Sequence, residues 1–260
     1  MRGSGSGEWE KLALIPDPRS WMPNPMPTCY VVSDLHLFSQ RTLGHEHETA
    51  LHATAALADH FVLAGDIFDF HWSTLNSIHD TVLAADRWLT DLVQSYPTCH
   101  FHYLLGNHDN HKLFVDRLGT LAADQPNFAW QPYLLRMGSS VFLHGDAGNP
   151  GMTPDRLPRY RRRWSKARQR TPMQNKVYDV VTKTNLHKAA IRMAAPRRRV
   201  ARRLLTYLAY MGHDADSGIQ DVYFGHTHRA MSDYPFRGVR FHNCGAPMPG
   251  LEFQILKARV

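Results

Sequence analysis

From residue 30 onward the chain alternates short apolar runs with longer stretches of helical periodicity. The apolar runs have the length of single buried strands, and each is followed by a glycine or a polar residue. The predicted strands span 30–32, 60–64, 101–105, 141–143 and 222–224. Helices are predicted at 48–59, where Leu51, Ala55 and Ala58 share one side, and at 81–95. Strands that alternate with helices predict an α/β fold built in layers.

The segment 152–212 has a different pattern, with three signals for the start of a helix. Thr153 precedes Pro154 as a cap precedes a first turn, and Thr171 and Gln174 have the spacing of a capping box. A third helix is predicted from Pro196, and core packing is the favoured interpretation of its apolar stripe, Val200, Leu204 and Leu208. The predicted divisions are an extended N-terminal arm or leader at 1–28, a core at 29–151 and 213–260, and a helical cap insertion at 152–212.

Charge is distributed unevenly along the chain, whose formal net charge is +7. Residues 156–203 contain 17 Lys and Arg against one acid, whereas the rest of the chain carries 13 basic and 22 acidic residues. A basic segment of this kind favours an anionic partner. The sequence lacks a run of about eighteen apolar residues, a C-x-x-C pair and an apolar signal segment. We therefore expect no membrane span, disulfide framework or zinc knuckle, and a cytoplasmic location with peripheral membrane attachment as an option.

The end of each predicted strand carries Asp, His or Asn side chains next to glycine. In chain order the motifs are D-x-H at 34–36, G-D-x-x-D at 65–69, G-N-H-D at 106–109, H-G-D at 144–146 and G-H-x-H at 225–228. A turn needs fewer polar residues than these, although any one of the motifs occurs by chance. Because ligand sites in open α/β sheets gather at the carboxyl ends of strands, five such motifs predict one common site. Carboxylate, imidazole and amide groups are typical ligands of divalent metals.

The motif set resembles that of the calcineurin-like metallophosphoesterases over about residues 30–245. The resemblance implies a four-layered α/β/β/α sandwich with two divalent metal ions, where metal-activated hydroxide cleaves a phosphodiester or diphosphate bond. It assigns Asp34, His36 and His228 to one metal, Asn107, His144 and His226 to the other, and Asp66 to both as a bridge. The mixed nitrogen and oxygen donors favour Mn²⁺, with Fe and Zn²⁺ as alternatives, over Mg²⁺.

Residues beside the ligands also receive roles from the resemblance. His108 would act on the substrate, by stabilising the transition state or protonating the leaving oxygen, and Asp109 would orient His108. Asp69 and Asp146 leave two interpretations open, since each could support a ligand histidine or cap a loop. Two residues after the last motif are expected to border the site, namely His242 and Asn243.

The basic segment lies between two ligand motifs, so both of its ends are expected beside the active site. A helical insertion at this point resembles the UDP-2,3-diacylglucosamine pyrophosphatases, although the well-known branch of that family has Arg in place of His108. The apolar stripe beside arginines would also suit an acyl chain or a membrane surface. Clustered arginines fit nucleic acid as well, which makes a nucleic-acid or nucleotide phosphodiesterase the alternative.

A non-catalytic scaffold is a third hypothesis, and the sequence disfavours it. Proteins that keep a fold and abandon its catalysis are expected to lose ligands, whereas this chain keeps all seven ligand positions and His108. We therefore expect a metal-dependent phosphoesterase. The residues of the basic segment predicted to contact the substrate are Arg161, Arg162, Arg163, Arg198 and Arg199.

Overall fold

The computed structural model describes residues 27–166, 168–171, 173–174 and 195–260. Two five-stranded sheets and five α-helices form the fold in this part of the chain. The strands are β1 (Cys29–Val32), β2 (His60–Ala64), β3 (His100–Leu104), β4 (Phe128–Gln131), β5 (Leu134–Met137), β6 (Ser140–Leu143), β7 (Asp221–Phe224), β8 (Met231–Phe236), β9 (Val239–Asn243) and β10 (Leu256–Ala258). The helices are α1 (Glu48–Ala55), α2 (Ile78–Ser95), α3 (Lys112–Asp124), α4 (Arg156–Ser165) and α5 (Arg197–Tyr210).

Each sheet is parallel in its centre. The first sheet has the order β10-β1-β2-β3-β4, with β1 to β4 parallel and β10 antiparallel. The second has the order β5-β6-β7-β9-β8, with β6, β7 and β9 parallel and an antiparallel strand at each edge. Parallel neighbours end at the same edge of a sheet, so the loops after β1, β2 and β3 lie together, as do those after β6 and β7. These five loops carry the five sequence motifs.

Apolar side chains fill three core layers. Helices α1 to α3 cover the outer face of the first sheet, where Leu89 and Phe101 belong to one buried cluster. The two sheets face each other through a second cluster that includes Leu104 and Phe142. Helices α4 and α5 cover the outer face of the second sheet, with Leu204 fully buried in the third cluster. The layers therefore run helix, sheet, sheet, helix, and the predicted α/β/β/α sandwich is confirmed.

The five predicted strands are confirmed with shifts of at most one residue at either end. Helix α1 ends at Ala55, earlier than predicted, and α2 begins at Ile78 because Ser77 caps it by accepting a hydrogen bond from the backbone N–H of Asp80. The other five strands and α3 were not predicted. Most of these strands are short and lie at or next to a sheet edge, where polar residues interrupt the apolar pattern.

The described part of the segment 152–212 belongs to the sandwich. Thr171 and Gln174 form the predicted capping box, with backbone-to-side-chain hydrogen bonds of 3.1 and 3.3 Å in the two directions. The stripe Val200, Leu204 and Leu208 is buried against the second sheet, which confirms core packing and makes this stripe inaccessible to a lipid. Residues 175–194 of the predicted insertion lie outside the described residues. Among the described helices, none combines the length and apolar character needed to cross a membrane.

Candidate metal centre

The loops after β1, β2, β3, β6 and β7 bring all seven predicted ligands to one edge of the sandwich. Contacts between the two sheets show this directly, because Nε2 of His144, after β6, lies 3.2 Å from Oδ2 of Asp66, after β2. The backbone N–H of His226, after β7, donates to the carboxylate of Asp34, after β1. The edge where the sheets meet thus forms a single cluster of donor groups.

A first donor group consists of Asp34, His36 and His228, whose ligand atoms all lie within 4.8 Å of one another. The Nε2 atoms of His36 and His228 are 3.1 Å apart. Oδ1 of Asp34 lies 3.4 Å from Nε2 of His228 and 4.0 Å from Nε2 of His36. The three side chains converge on one point, as predicted for the first metal.

A second donor group consists of Asp66, His144 and His226, again within 4.8 Å of one another. Oδ1 of Asn107 lies 3.3 Å from Nε2 of His144, which adds an amide oxygen to this group. Oδ2 of Asp66 is also 4.0 Å from Nε2 of His36, a member of the first group. Asp66 therefore lies between the two groups, where a bridging carboxylate is predicted.

The backbone at the centre is unusual, because five of the seven predicted ligands have positive φ angles. These values are 54° for Asp34, 47° for His36, 52° for Asp66, 65° for His226 and 51° for His228. Residues with a Cβ rarely adopt this left-handed conformation, and such strain clusters at functional sites. Each of these residues lies in the loop directly after a strand, and the left-handed turn directs its side chain toward the edge of the sandwich where the ligands meet.

Two glycines allow the loops to approach the carboxylates closely. A Cβ at Gly106 would lie 2.0 Å from Oδ1 of Asp66, and a Cβ at Gly225 would lie 2.1 Å from Oδ2 of Asp34. Both distances are far below van der Waals contact, so only glycine fits at these positions. The glycines in the G-N-H-D and G-H-x-H motifs therefore let the backbone pack directly against the carboxylates of Asp66 and Asp34.

His108 is held by Asp69. Nδ1 of His108 lies 3.0 Å from Oδ1 of Asp69, and Nδ1 of His36 lies 3.4 Å from the other oxygen. Nη2 of Arg41 donates to the same carboxylate at 2.9 Å. Burial opposes a charged imidazole, but the carboxylates of Asp69 and Asp66 outweigh it and raise the pKa of His108. Asp69 thus supports a predicted ligand, and it also caps the backbone N–H groups of residues 71 and 72, so both interpretations of its role hold.

Asp109 does not orient the His108 imidazole, which corrects the prediction for this residue. Its carboxylate instead accepts hydrogen bonds from the hydroxyl of Tyr103 at 2.7 Å and from the backbone N–H groups of Gly106 and Ile67. Burial and the nearby charge of Asp66 raise the pKa of Asp109 to about 7. Its position is that of a residue that fixes the loop after β3, and the orienting contact to His108 comes from Asp69.

Arg161 is a second correction, because its side chain is buried and already paired. Its Nε and Nη2 donate to the two oxygens of Asp146 at 2.7 and 2.8 Å, and Nη1 donates to the carbonyl of Pro132. The predicted contact with substrate would have to break this pair. Asp146 is likewise occupied by Arg161, so it anchors α4 to the loop after β6.

The other four predicted substrate arginines are exposed, on α4 and on α5. They are Arg162, Arg163, Arg198 and Arg199, and their role stays a prediction. Of the two residues expected to border the site, Asn243 donates to the carbonyl of Gly225 at 2.8 Å and so supports the ligand loop after β7. His242 contacts Asp221 at 2.9 Å instead.

The sequence pattern carries no signal for three residues that contact the centre. Oδ1 of Asn149 lies 3.1 Å from Nε2 of His226. The ring of Trp164, from α4, lies 4.6 Å from that of His108 between centroids, and the ring of His71 lies 5.4 Å from that of Trp164. None of the three stands in a ligand motif: Asn149 lies in the loop after β6, His71 in the loop after β2 and Trp164 on α4, so only the packing of these elements at the site reveals them.

The donor atoms fit two divalent cations. The facing Nε2 atoms of His36 and His228 can share only one proton, whereas a cation can be bound by both. Burial lowers the pKa of His36, and burial together with His144 lowers the pKa of His226 to about 4, which favours the neutral imidazole that binds metals at these two positions. Burial also opposes a charge on His144, but Asp66 outweighs it and raises the pKa of His144 to about 10, so a metal ion would displace a proton from this imidazole. Burial opposes ionisation of Asp66, but His144 and His108 outweigh it and hold the pKa of Asp66 well below its usual value. Two groups of imidazoles joined by a carboxylate are therefore available.

One family of known proteins matches this chain. The family model for calcineurin-like phosphoesterases matches residues 27–230, a range that contains all five motifs. Among solved structures, a dimetal phosphatase from Danio rerio is similar at 13% sequence identity, over 86% of this chain and 89% of that chain, with a TM-score of 0.46. No curated protein matches the sequence. Since the family match spans most of the chain and every predicted ligand, the chain belongs to the calcineurin-like phosphoesterase family and is a metal-dependent phosphoesterase.

Proposed function

We propose that this phosphoesterase hydrolyses a phosphodiester or diphosphate bond at a centre of two divalent metal ions. The observation that carries the proposal is the pair of donor groups on either side of Asp66, which lies 3.2 Å from His144 and 4.0 Å from His36. The seven ligands would be Asp34, His36, Asp66, Asn107, His144, His226 and His228. Two bound cations would supply Lewis acidity and lower the pKa of a water molecule toward neutrality.

The mixture of imidazole, carboxylate and amide donors supports Mn²⁺ as the native metal, ahead of Fe and Zn²⁺. Mg²⁺ prefers oxygen ligands and retains several waters, which matches this set less well. Metal analysis of protein purified without added metal, followed by reloading with each ion, tests this order. A protein that gains full turnover with Mg²⁺ alone would contradict it.

His108 is assigned to the substrate. Asp69 lies 3.0 Å from Nδ1 of its ring, and we assign Nε2 to a bound phosphoryl group. The raised pKa of His108 favours the protonated imidazole, which can stabilise a developing negative charge or donate a proton to the leaving oxygen. Its exposed fraction of 15% is compatible with contact to a ligand, in contrast to the fully enclosed His144.

A nucleotide-containing substrate is supported by the aromatic side chains at the site. The half-buried ring of Trp164 lies beside that of His108, and a flat base can stack on such a ring, whereas His71 is buried beside the two. UDP-2,3-diacylglucosamine and nucleic acid both meet this condition. The buried apolar stripe of α5 offers no support for an acyl chain, so the lipid part of the sugar-nucleotide lipid has no support among the described residues.

Three substrates compared in parallel with Mn²⁺ test the proposal. They are bis-p-nitrophenyl phosphate, UDP-2,3-diacylglucosamine and a short single-stranded DNA. Hydrolysis of the sugar-nucleotide lipid alone, with release of UMP, would assign the pyrophosphatase activity, whereas cleavage of the DNA or the generic diester alone would assign a phosphodiesterase. If protein with two bound metals cuts none of them, the proposed bond classes are wrong.

A further inference from the structure

A cleft of about 510 Å³ opens beside the metal centre, between the loop after β6 and the helices α4 and α5. The residues that line it and carry the argument are Asn149, Thr153, Arg156, Arg202, Arg203 and Thr206. Asn149 also contacts the predicted ligand His226, at 3.1 Å from its Nε2. The cleft and the metal centre therefore share this residue.

Three arginines give the cleft a strong positive charge. Arg156 donates to the carbonyl of Gly151 at 3.1 Å, and Arg203 donates to the carbonyl of Gly148 at 3.4 Å. Carbonyl oxygens orient a guanidinium but do not neutralise it. In the described part of the chain, the arginines that pair with carboxylates lie elsewhere in the fold, and no acidic side chain lines the cleft.

This arrangement differs from an ordinary solvated basic face. The arginines come from two different helices and face one concave space, with the hydroxyls of Thr153 and Thr206 in its wall. Guanidinium groups bind phosphate through paired hydrogen bonds. The hydroxyl of Thr153 accepts from the backbone N–H of Arg156 and keeps its own proton for a ligand, whereas the hydroxyl of Thr206 donates to the carbonyl of Arg202. A phosphate in the cleft would relieve the repulsion among the three cations.

We propose that this cleft binds a second phosphate of the substrate, so that the natural substrate carries two separated phosphate groups. One is hydrolysed at the metal centre and the other is held by Arg156, Arg202 and Arg203. Because Asn149 stands between the two places, the second phosphate is not the direct neighbour of the first but lies several bonds away. The inference rests on the proposed function, since it names the class of substrate for the same centre.

Binding of two ligands that differ by one phosphate tests the cleft without turnover. Calorimetric titration of the Mn²⁺-loaded protein with adenosine 3′,5′-bisphosphate and with adenosine 5′-monophosphate should show about tenfold tighter binding of the bisphosphate, which corresponds to one charged hydrogen-bonded contact. The Arg202→Gln/Arg203→Gln variant should bind the two ligands alike. Arg159→Gln/Lys166→Gln removes the same charge from exposed positions outside the cleft and should keep the preference.

A second variant guards against a folding effect of the arginine changes. Thr206→Glu places a negative charge in the cleft while all three arginines remain, and it should abolish the preference for the bisphosphate at an unchanged melting temperature. An unchanged preference in both variants would overturn the inference. Binding to phosphatidylglycerol vesicles is measured for the wild type and for the same variants. The inference would also be overturned if the variants lost vesicle binding but kept the preference for the bisphosphate, because the arginines would then bind a lipid surface.

Turnover of bis-p-nitrophenyl phosphate separates this inference from the proposed function. That substrate has no second phosphate, so its hydrolysis by the wild-type protein tests the metal centre alone. A protein that turns over no substrate but loses its bisphosphate preference in the variants would keep the cleft and refute the proposed function. A protein that hydrolyses bis-p-nitrophenyl phosphate but whose variants retain the preference for the bisphosphate would support the proposed function and refute the inference about the cleft.

Discussion

Nδ1 of His108 lies 3.0 Å from Oδ1 of Asp69. The second oxygen of the same carboxylate lies 3.4 Å from Nδ1 of His36, a predicted metal ligand. One buried carboxylate thus lies beside both the histidine assigned to the substrate and a histidine assigned to a metal. Arg41 fixes this carboxylate in turn, at 2.9 Å. The positions of substrate and metal are therefore linked through Asp69.

Replacement of His108 should affect turnover far more than metal content. In His108→Ala we expect kcat to fall by about 10²- to 10⁴-fold, the usual contribution of a general acid or base. Metal analysis should still find the wild-type amount, because His108 is outside the seven assigned ligands. His79→Ala, at an exposed position on α2, is the control and should match the wild type. If metal content falls in parallel with kcat, His108 is a ligand instead.

Replacement of Asp66 should remove both metals. Its carboxylate lies between the two donor groups, so Asp66→Asn takes a negative charge away from each of them. We expect the bound metal measured after gel filtration to fall well below one ion per chain. Asp221→Asn removes a buried carboxylate outside the donor groups and should retain the wild-type metal content. Two tightly bound ions in Asp66→Asn would refute the bridging role.

A methyl group at Gly106 should weaken metal binding and lower the stability of the fold. The new Cβ would lie 2.0 Å from Oδ1 of Asp66, so either the carboxylate or the loop after β3 must move. We expect Gly106→Ala to lose metal affinity and about 2 kcal/mol of the free energy of unfolding. Gly119→Ala, in α3 with open space around the new Cβ, should instead stabilise the fold by about 0.5–1 kcal/mol. Chemical denaturation and metal titration of both variants check this contrast.

Arg161 should matter for stability rather than for substrate binding. Arg161→Met leaves the Asp146 carboxylate buried without its partner, which is expected to cost about 3 kcal/mol in the free energy of unfolding. Arg162→Met, at the exposed neighbouring position, should change it by less than about 0.5 kcal/mol. Urea denaturation measures both. A stable Arg161→Met protein with a raised KM would restore the predicted substrate contact.

Acid stability should depend on Asp221. Burial opposes its charge, but hydrogen bonds from Arg240 and His242 outweigh burial and lower the pKa of Asp221 to about 2. Because the folded pKa lies below the unfolded value of 3.8, this carboxylate stabilises the fold above about pH 4, and the contribution is lost as the pH falls through about 2. The contribution is about 2 kcal/mol at most.

The Asp221→Asn variant tests this dependence. It should be less stable than the wild type at neutral pH and should lose less stability between about pH 5 and about pH 2, as followed by thermal melting. If the variant lost as much stability as the wild type between about pH 5 and about pH 2, Asp221 would not be the source of the acid dependence.

The sequence by itself determined the five strands that end at the site and the polar motifs that follow them, and the family resemblance then assigned seven ligands among those motifs. In β2, β6 and β7 nearly every residue is buried, which makes their apolar runs almost continuous, and in all five strands the polar motif comes directly after the strand, so local pattern alone locates the strand ends. Strands such as β8, with exposed residues among buried ones, carry a pattern too mixed to predict.

Only the tertiary structure decided which side chains meet across elements. Asp69 rather than Asp109 contacts His108 because the loops after β2 and β3 lie side by side, a fact of sheet order that local spacing does not contain. Arg161 belongs to a buried pair because α4 packs on the loop after β6, whereas the sequence shows only one arginine among many. Local pattern fixes where a strand ends and which residues come next, but the partner of a buried charge is set by which distant segments pack against it.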